Sequence, residues 1–389
     1  MNPVNALDIR KAKLSLDACV LKCARYSEFL PLLRSHCFCL LFLGCLPFLA
    51  LAQQLAPPTG APAARPAAAE GQIKLDVVVT DKLGEVVSGL QSSDFTLLDN
   101  NRPATLLSFQ AYGSTTPPET PVQVVLVIDN VNEGFDDVSL SKNDIEKFLR
   151  QNNGKLAQPT SIILFEDTKT QVLPEPSRDG NALLATFEKN VTGLRELTRS
   201  SGFYGAEDRL QISLKTLGEL AAYEATKPGR KLVIWISPGW PLLSGPNIQI
   251  SGSQQRKIFD SVVMLSTALR QAHMTLYNVD PLGTADAGSI RLTFYEEFLK
   301  GLTNPNKAAV GNLRLQVMAV QSGGRVLNAS NDITAEINRC VADASAYYEL
   351  AFDPAPAERP DEYHKLDIKV DKPGLDVRSS TGYYAQPRP

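Results

Sequence analysis

Thiols, imidazoles and indoles are scarce in this chain. Its 389 residues include six cysteines, three histidines and two tryptophans. Cys19, Cys23, Cys37, Cys39 and Cys45 all fall near the start, leaving Cys340 as the one later thiol. One thiol excludes an intrachain disulfide or a multi-cysteine metal site in the remainder. His273 and His364 are the only later histidines, and neither has a Ser, Asp or Cys signature close by in sequence. The Gly-x-Ser-x-Gly elbow is missing around Ser237, and so is the Gly-x-x-x-x-Gly-Lys-Ser/Thr phosphate loop. No Lys/Arg cluster offsets the formal charge of −3, which argues against a nucleic-acid partner. These gaps point away from an enzyme. A hydrolase built on Ser237 is the weakest of the readings left open.

The N-terminus holds the longest apolar run, Cys37–Ala50, preceded by Arg34 and closed by Ala50-Leu51-Ala52. Fourteen residues are few for a membrane span and suit the core of a signal peptide with a small-x-small cleavage site. Residues 1–52 are therefore expected to be a signal peptide whose true start lies further in, and Gln53 the first mature residue. A lipidated Cys45 is the alternative. Removing residues 1–52 leaves 33 basic against 39 acidic residues, a net charge of −6. The expectation is a secreted or periplasmic protein with no membrane span after cleavage.

Residues 53–72 are rich in Ala and Pro and read as a linker. From Ile73 the chain alternates, with Ile73, Leu75, Val77 and Val79 on one face and Lys74, Asp76, Val78 and Thr80 on the other. That is a half-buried strand. Asp94–Leu98 and Ala104–Phe109 around Asp99-Asn100-Asn101 read as a hairpin, so 73–113 forms an N-terminal β segment too small to stand alone.

From 120 to 345 the pattern is strand and helix in turn. Val122–Ile128, Ser161–Phe165 and Lys231–Ser237 are nearly continuous apolar runs, as strands buried on both faces require. Helices are expected at 139–151, 179–190, 207–226, 253–272, 312–322 and 332–344, with further strands at Met274–Val279 and Arg325–Leu327. This predicts a doubly wound, mainly parallel α/β sheet. Residues 346–385 return to β, as Tyr348–Phe352, His364–Val370 and Asp376–Tyr384. Segments from the two ends are expected to meet in one small β subdomain.

In such sheets ligands gather at the carboxyl ends of the strands. The loop Asp129-Asn130-Val131-Asn132-Glu133 stands there, as do Ser237-Pro238-Gly239-Trp240. Val122–Asp129, Lys231–Gly239 and the flanks Asp76–Asp81 through Asp94-Phe95 and Tyr347–Leu350 through Gly382–Tyr384 together resemble the von Willebrand factor A-related proteins of the acidobacterial type, over residues 73–385. The resemblance implies a protein-binding fold and a metal-ion-dependent adhesion site, Asp-x-Ser-x-Ser plus a later Thr and Asp. Such a set of oxygens suits Mg²⁺. Here Asp129 matches the first Asp, while Val131, Glu133 and Pro238 replace two serines and the later Asp. Thr198 or Ser201 stands near the Thr position.

Asp129, Asn132 and Glu133 are thus the candidate metal ligands of a degenerate site. No cofactor is expected, with Mg²⁺ binding as the alternative. Asp129, Asn130, Asn132, Ser201, Tyr204, Ser237, Gly239 and Trp240 are the expected ligand-facing residues, toward an unidentified protein partner. Trp240 has two readings, as interface indole or as packing. Cys340, spaced helically with Ile333, Ile337 and Val341, reads as core.

Overall fold

The computed structural model describes residues 71–388 apart from 114, 133–134, 167–170, 173–174, 192–202, 242–249 and 284–293. In chain order the strands and helices are β1 (Ile73–Asp81), β2 (Phe95–Asp99), β3 (Arg102–Pro103), β4 (Leu106–Tyr112), β5 (Gln123–Asp129), α1 (Phe135–Gly154), β6 (Lys155–Phe165), β7 (Gln171–Val172), β8 (Ser177–Asp179), α2 (Gly180–Val191), α3 (Phe203–Glu224), β9 (Lys231–Ile236), α4 (Gly252–Gln271), β10 (Met274–Val279), α5 (Leu315–Gln321), β11 (Val326–Leu327), α6 (Ile333–Ala342), β12 (Tyr347–Phe352), β13 (Glu362–Val370), β14 (Leu375–Arg378) and β15 (Gly382–Ala385).

The expected doubly wound sheet is present. Its order is β11-β10-β9-β5-β6-β7, parallel except for β7 and the short β8, which both run antiparallel to β6. The apolar runs make it so. Val125, Val127, Val233 and Trp235 face α3, α4 and α5, while the alternate residues Val124, Leu126, Leu232 and Ile234 face α1, α2 and α6. Both faces are buried, so neither needs polar residues. On α3, Leu210, Leu214, Leu217 and Ala221 lie on one stripe against the sheet. Cys340 is fully buried beside Ile337, and burial pushes its thiol pKa well up, as a core cysteine should behave.

The flanks also meet as expected. β1 from the N-terminal side pairs with β12 and β14, and β2 pairs with β13. The result is two four-stranded sheets, β14-β1-β12-β4 and β15-β13-β2-β3, around a core of Leu75, Val77, Leu97, Leu350, Phe352 and Tyr383.

Three sequence expectations are corrected here. The hairpin of 94–109 is broken after β3. Asn100 and Asn101 turn the chain at positive φ, but β4 crosses to the other sheet and pairs with β12. Asp376–Tyr384 is two strands in different sheets, because Ser379–Thr381 carry the chain across from β14 to β15. The helix of 312–322 begins as a short 3-10 turn, Val310–Leu313, and α5 proper starts at Leu315.

Candidate functional site

Asp129 ends β5 at the carboxyl edge of the parallel sheet, where the chain must turn toward α1. Its carboxylate is fully buried and surrounded by donors. Oδ1 accepts from the backbone amides of Val131 (3.0 Å) and Asn132 (2.9 Å) and from Asn132 Nδ2 (3.1 Å). Oδ2 accepts from Asn132 Nδ2 (2.8 Å) and from the indole Nε1 of Trp235 (2.9 Å), which reaches across from β9. The Ser237 hydroxyl, close by, also works to lower the Asp129 pKa. Burial raises the Asp129 pKa, and the donors from Asn132, Trp235 and Ser237 offset only part of that.

Among the described residues, the groups that hydrogen-bond to the Asp129 carboxylate are N–H donors. A divalent ion needs lone pairs turned inward from several oxygens. Here the groups nearest the carboxylate present N–H, and Asn132 Nδ2 also donates to Ser213 Oγ on α3 (3.0 Å). The amide of Asn132 and the indole of Trp235 hold the space beside Asp129. Glu133, Thr198 and Ser201 lie outside the described residues.

The rest of the expected ligand-facing set is corrected in the same direction. Trp240 is 2% exposed and meets Trp235 edge to face at 5.5 Å, with Phe165 against the other side of Trp235. Packing, not an interface, is its role. Ser237 is fully buried and its Oγ accepts from the Gly239 amide. Gly239 is half-buried at φ +101°, and a Cβ there would collide with the Gln316 side chain. Asn130 and Asn132 are half-buried. Tyr204 alone stands out, 78% exposed in the first turn of α3. It lies nine residues before Ser213, so about 14 Å further toward the edge.

No protein-family model matches the chain, and no curated protein sequence matches it. Solved structures do. The chain is similar to the manganese-loaded TRAP protein of Plasmodium vivax, at 11% identity over 73% of this chain and 97% of that one, TM-score 0.32. It is also similar to the SpRpn10 VWA domain, at 12% identity over 57% of this chain and 95% of that one, TM-score 0.28. A third is the human COPII-coat protein Sec24c, at 8% identity over 69% of this chain and 44% of that one, TM-score 0.31. These likenesses concern the fold alone. In its own strand order the sheet is a doubly wound, mainly parallel α/β sheet.

Among the described residues, Ser237 has no histidine beside it. His273 precedes β10 at the opposite end of the sheet, about 20 Å away along six strand residues. His364 lies in β13 of the subdomain.

Sequence reasoning missed the partners of both histidines. His364 Nδ1 is 2.9 Å from Asp99 Oδ1, and Tyr383 donates to Asp99 Oδ2 at 2.7 Å, all three buried. His273 Nδ1 is 3.4 Å from Asp76 Oδ2. The pairs are 265 and 197 residues apart in sequence; the pairing of β2 with β13 brings the first together, and the packing of β1 against the turn before β10 brings the second. Asp280, just after β10, accepts from the Leu282 amide through Oδ1, as a turn residue does.

Proposed function

We propose that this chain is an exported protein-interaction module that presents the carboxyl edge of its α/β sheet to a protein partner and needs no metal there. The observation that carries the reading is the hydrogen-bonded Asp129 carboxylate together with an exposed Tyr204 further along α3. N–H donors converge on the Asp129 carboxylate, and Tyr204, in the first turn of α3, is 78% exposed. Tyrosine brings large contact area with few rotatable bonds, the profile of an interface anchor. The nearest catalytic alternative, Ser237, is buried among structural hydrogen bonds. Export rests on Cys37–Ala52. Among the described residues no helix is long and apolar enough to cross a membrane.

The test is a photo-crosslinking residue placed at 204, and separately at Met264, an exposed position on α4. A discrete partner crosslinked from 204 and not from 264, and unaffected by EDTA, supports the reading. Equal labelling from both positions, or labelling lost with EDTA, overturns it. N-terminal sequencing of the protein recovered from cells tests export, with Gln53 the expected first residue.

A further inference from the structure

We propose that the amino end of the parallel sheet carries a divalent transition-metal site, of the kind zinc occupies, formed by Asp76, His273 and Glu349. The three come from three separate elements. Asp76 and Glu349 are direct partners across β1 and β12, so strand geometry places their side chains on one face. That face is the one opposite Leu75, Val77 and Leu350, which fill the subdomain core. It is turned toward the α/β domain, and His273 meets it from the turn between α4 and β10, held at φ +52°.

One ligand atom from each residue lies within 4.8 Å of the other two. Ligands about 2.0–2.1 Å from a tetrahedral zinc sit roughly 3.3 Å from one another. The 3.4 Å between His273 Nδ1 and Asp76 Oδ2 already has that spacing. Imidazole with two carboxylates suits zinc, and three protein ligands leave a fourth position open.

Two further observations separate this cluster from an ordinary surface ion pair. Asp76 is nine-tenths buried, and its Oδ1 makes no hydrogen bond. Pairing with His273 accounts for one oxygen and leaves the other desolvated without compensation, which is costly unless something binds it. The three residues also line a cleft of about 220 Å³, ample for an ion with its water.

The nearby cations are engaged elsewhere or can leave. Arg230 donates to the Asp343 carbonyl and lies over the Tyr347 ring, and Lys231 Nζ is bound to the carbonyls of Lys227 and Ala272. Lys74 sits 3.3 Å from Glu349 but is half exposed on a flexible stem, a competitor that an ion would displace.

The experiment is calorimetric titration of the full chain with Zn²⁺, with Cys19, Cys23, Cys37, Cys39 and Cys45 replaced by Ser so that no accessible thiol competes. Co²⁺ absorption serves as a second, spectroscopic readout. One equivalent should bind. His273→Asn, which tolerates the positive φ, and Asp76→Asn should each weaken binding about 100-fold. Glu349→Gln should weaken it about tenfold, and Lys74→Gln should leave it equal or tighter. No saturable uptake by the folded protein overturns the site. So does uptake that both His273→Asn and Asp76→Asn leave unchanged. Circular dichroism of each variant separates lost binding from lost fold.

Discussion

The two ends of one parallel sheet each hold a buried carboxylate, and the two are treated in opposite ways. At the carboxyl end, both oxygens of Asp129 are taken by amides, an asparagine side chain and an indole. At the amino end, Asp76 has one oxygen near His273 and the other without a hydrogen bond, beside an open cleft. Burial alone does not decide whether an acid is structural or available. What decides is whether N–H groups converge on it. Around Asp129 they come from the turn that follows β5 and from the neighbouring strand β9. Around Asp76 the backbone amides are committed to the β1–β12 ladder, and what approaches it are side chains, Glu349 across the strand and His273 from the α/β domain.

The difference should appear first in stability. Asp129→Ala strips the acceptor from the Asn132 side chain, the Trp235 indole and two backbone amides in a fully buried site. The expected loss is about 3–5 kcal/mol, since each buried donor left unpaired costs roughly 1–3 kcal/mol and some will find other partners. Urea unfolding of the variant checks it. A loss below about 1 kcal/mol would mean that the N–H groups do not depend on Asp129, and the contrast between the two ends would fail. Added Mg²⁺ should leave the melting temperature of the unmutated chain where it is. A real site at a hundred times its Kd would add about 2.7 kcal/mol.

A third carboxylate, in the β subdomain, sharpens the same point through pH. Burial works to raise the Asp99 pKa, but the hydrogen bonds from His364 and Tyr383 prevail and hold it below the ordinary 3.8. A depressed folded value means that the unfolded chain takes up the proton first as pH falls. Asp99 therefore contributes stability that is fully present above about pH 4 and is lost as pH falls through its folded value. Asp99→Asn should cost about 1–3 kcal/mol at pH 7. The gap between variant and parent should close on acidification toward pH 2.5. A gap that stays constant across that range would remove the ionised carboxylate from the account.

Asp76→Asn is expected to behave unlike both. With one oxygen already unpaired, replacing the carboxylate by an amide should change stability by less than about 1 kcal/mol in metal-free buffer. A loss as large as that at Asp129 would place the two ends in one class after all.

How much of this was legible in the sequence follows from how far apart the interacting residues lie. The doubly wound sheet could be read because Val122–Ile128 and Lys231–Ile236 are apolar on both faces, a signal contained within one strand. Asp129 was visible as the polar residue ending such a run. Its closure was not, because the Trp235 indole reaches it from 106 residues away. Trp240 looked available for the same reason, since nothing local indicates that Trp235 lies against it. The strand alternation of 73–80 put Asp76 on the polar face, and that face was read as solvent. In the fold it covers the amino end of the α/β sheet, and the cross-strand register with Glu349 and the approach of His273 belong to tertiary structure alone.

The smallest effect on stability belongs to Tyr204, and that is what makes it informative. At 78% exposure in the first turn of α3 it gives up little apolar burial on mutation, so Tyr204→Ala should lie within about 0.5 kcal/mol of the parent in urea. If the carboxyl edge docks a protein, the same substitution should weaken capture of the partner crosslinked from position 204 by about tenfold or more, as loss of an aromatic anchor does. Asp129→Asn, which perturbs the site behind it without altering the surface, should weaken capture only in proportion to the stability it removes. Should Tyr204→Ala leave capture unchanged, the docking edge is elsewhere. The closed carboxyl end would then be purely structural, and the open amino end the only one of the two with chemistry to offer.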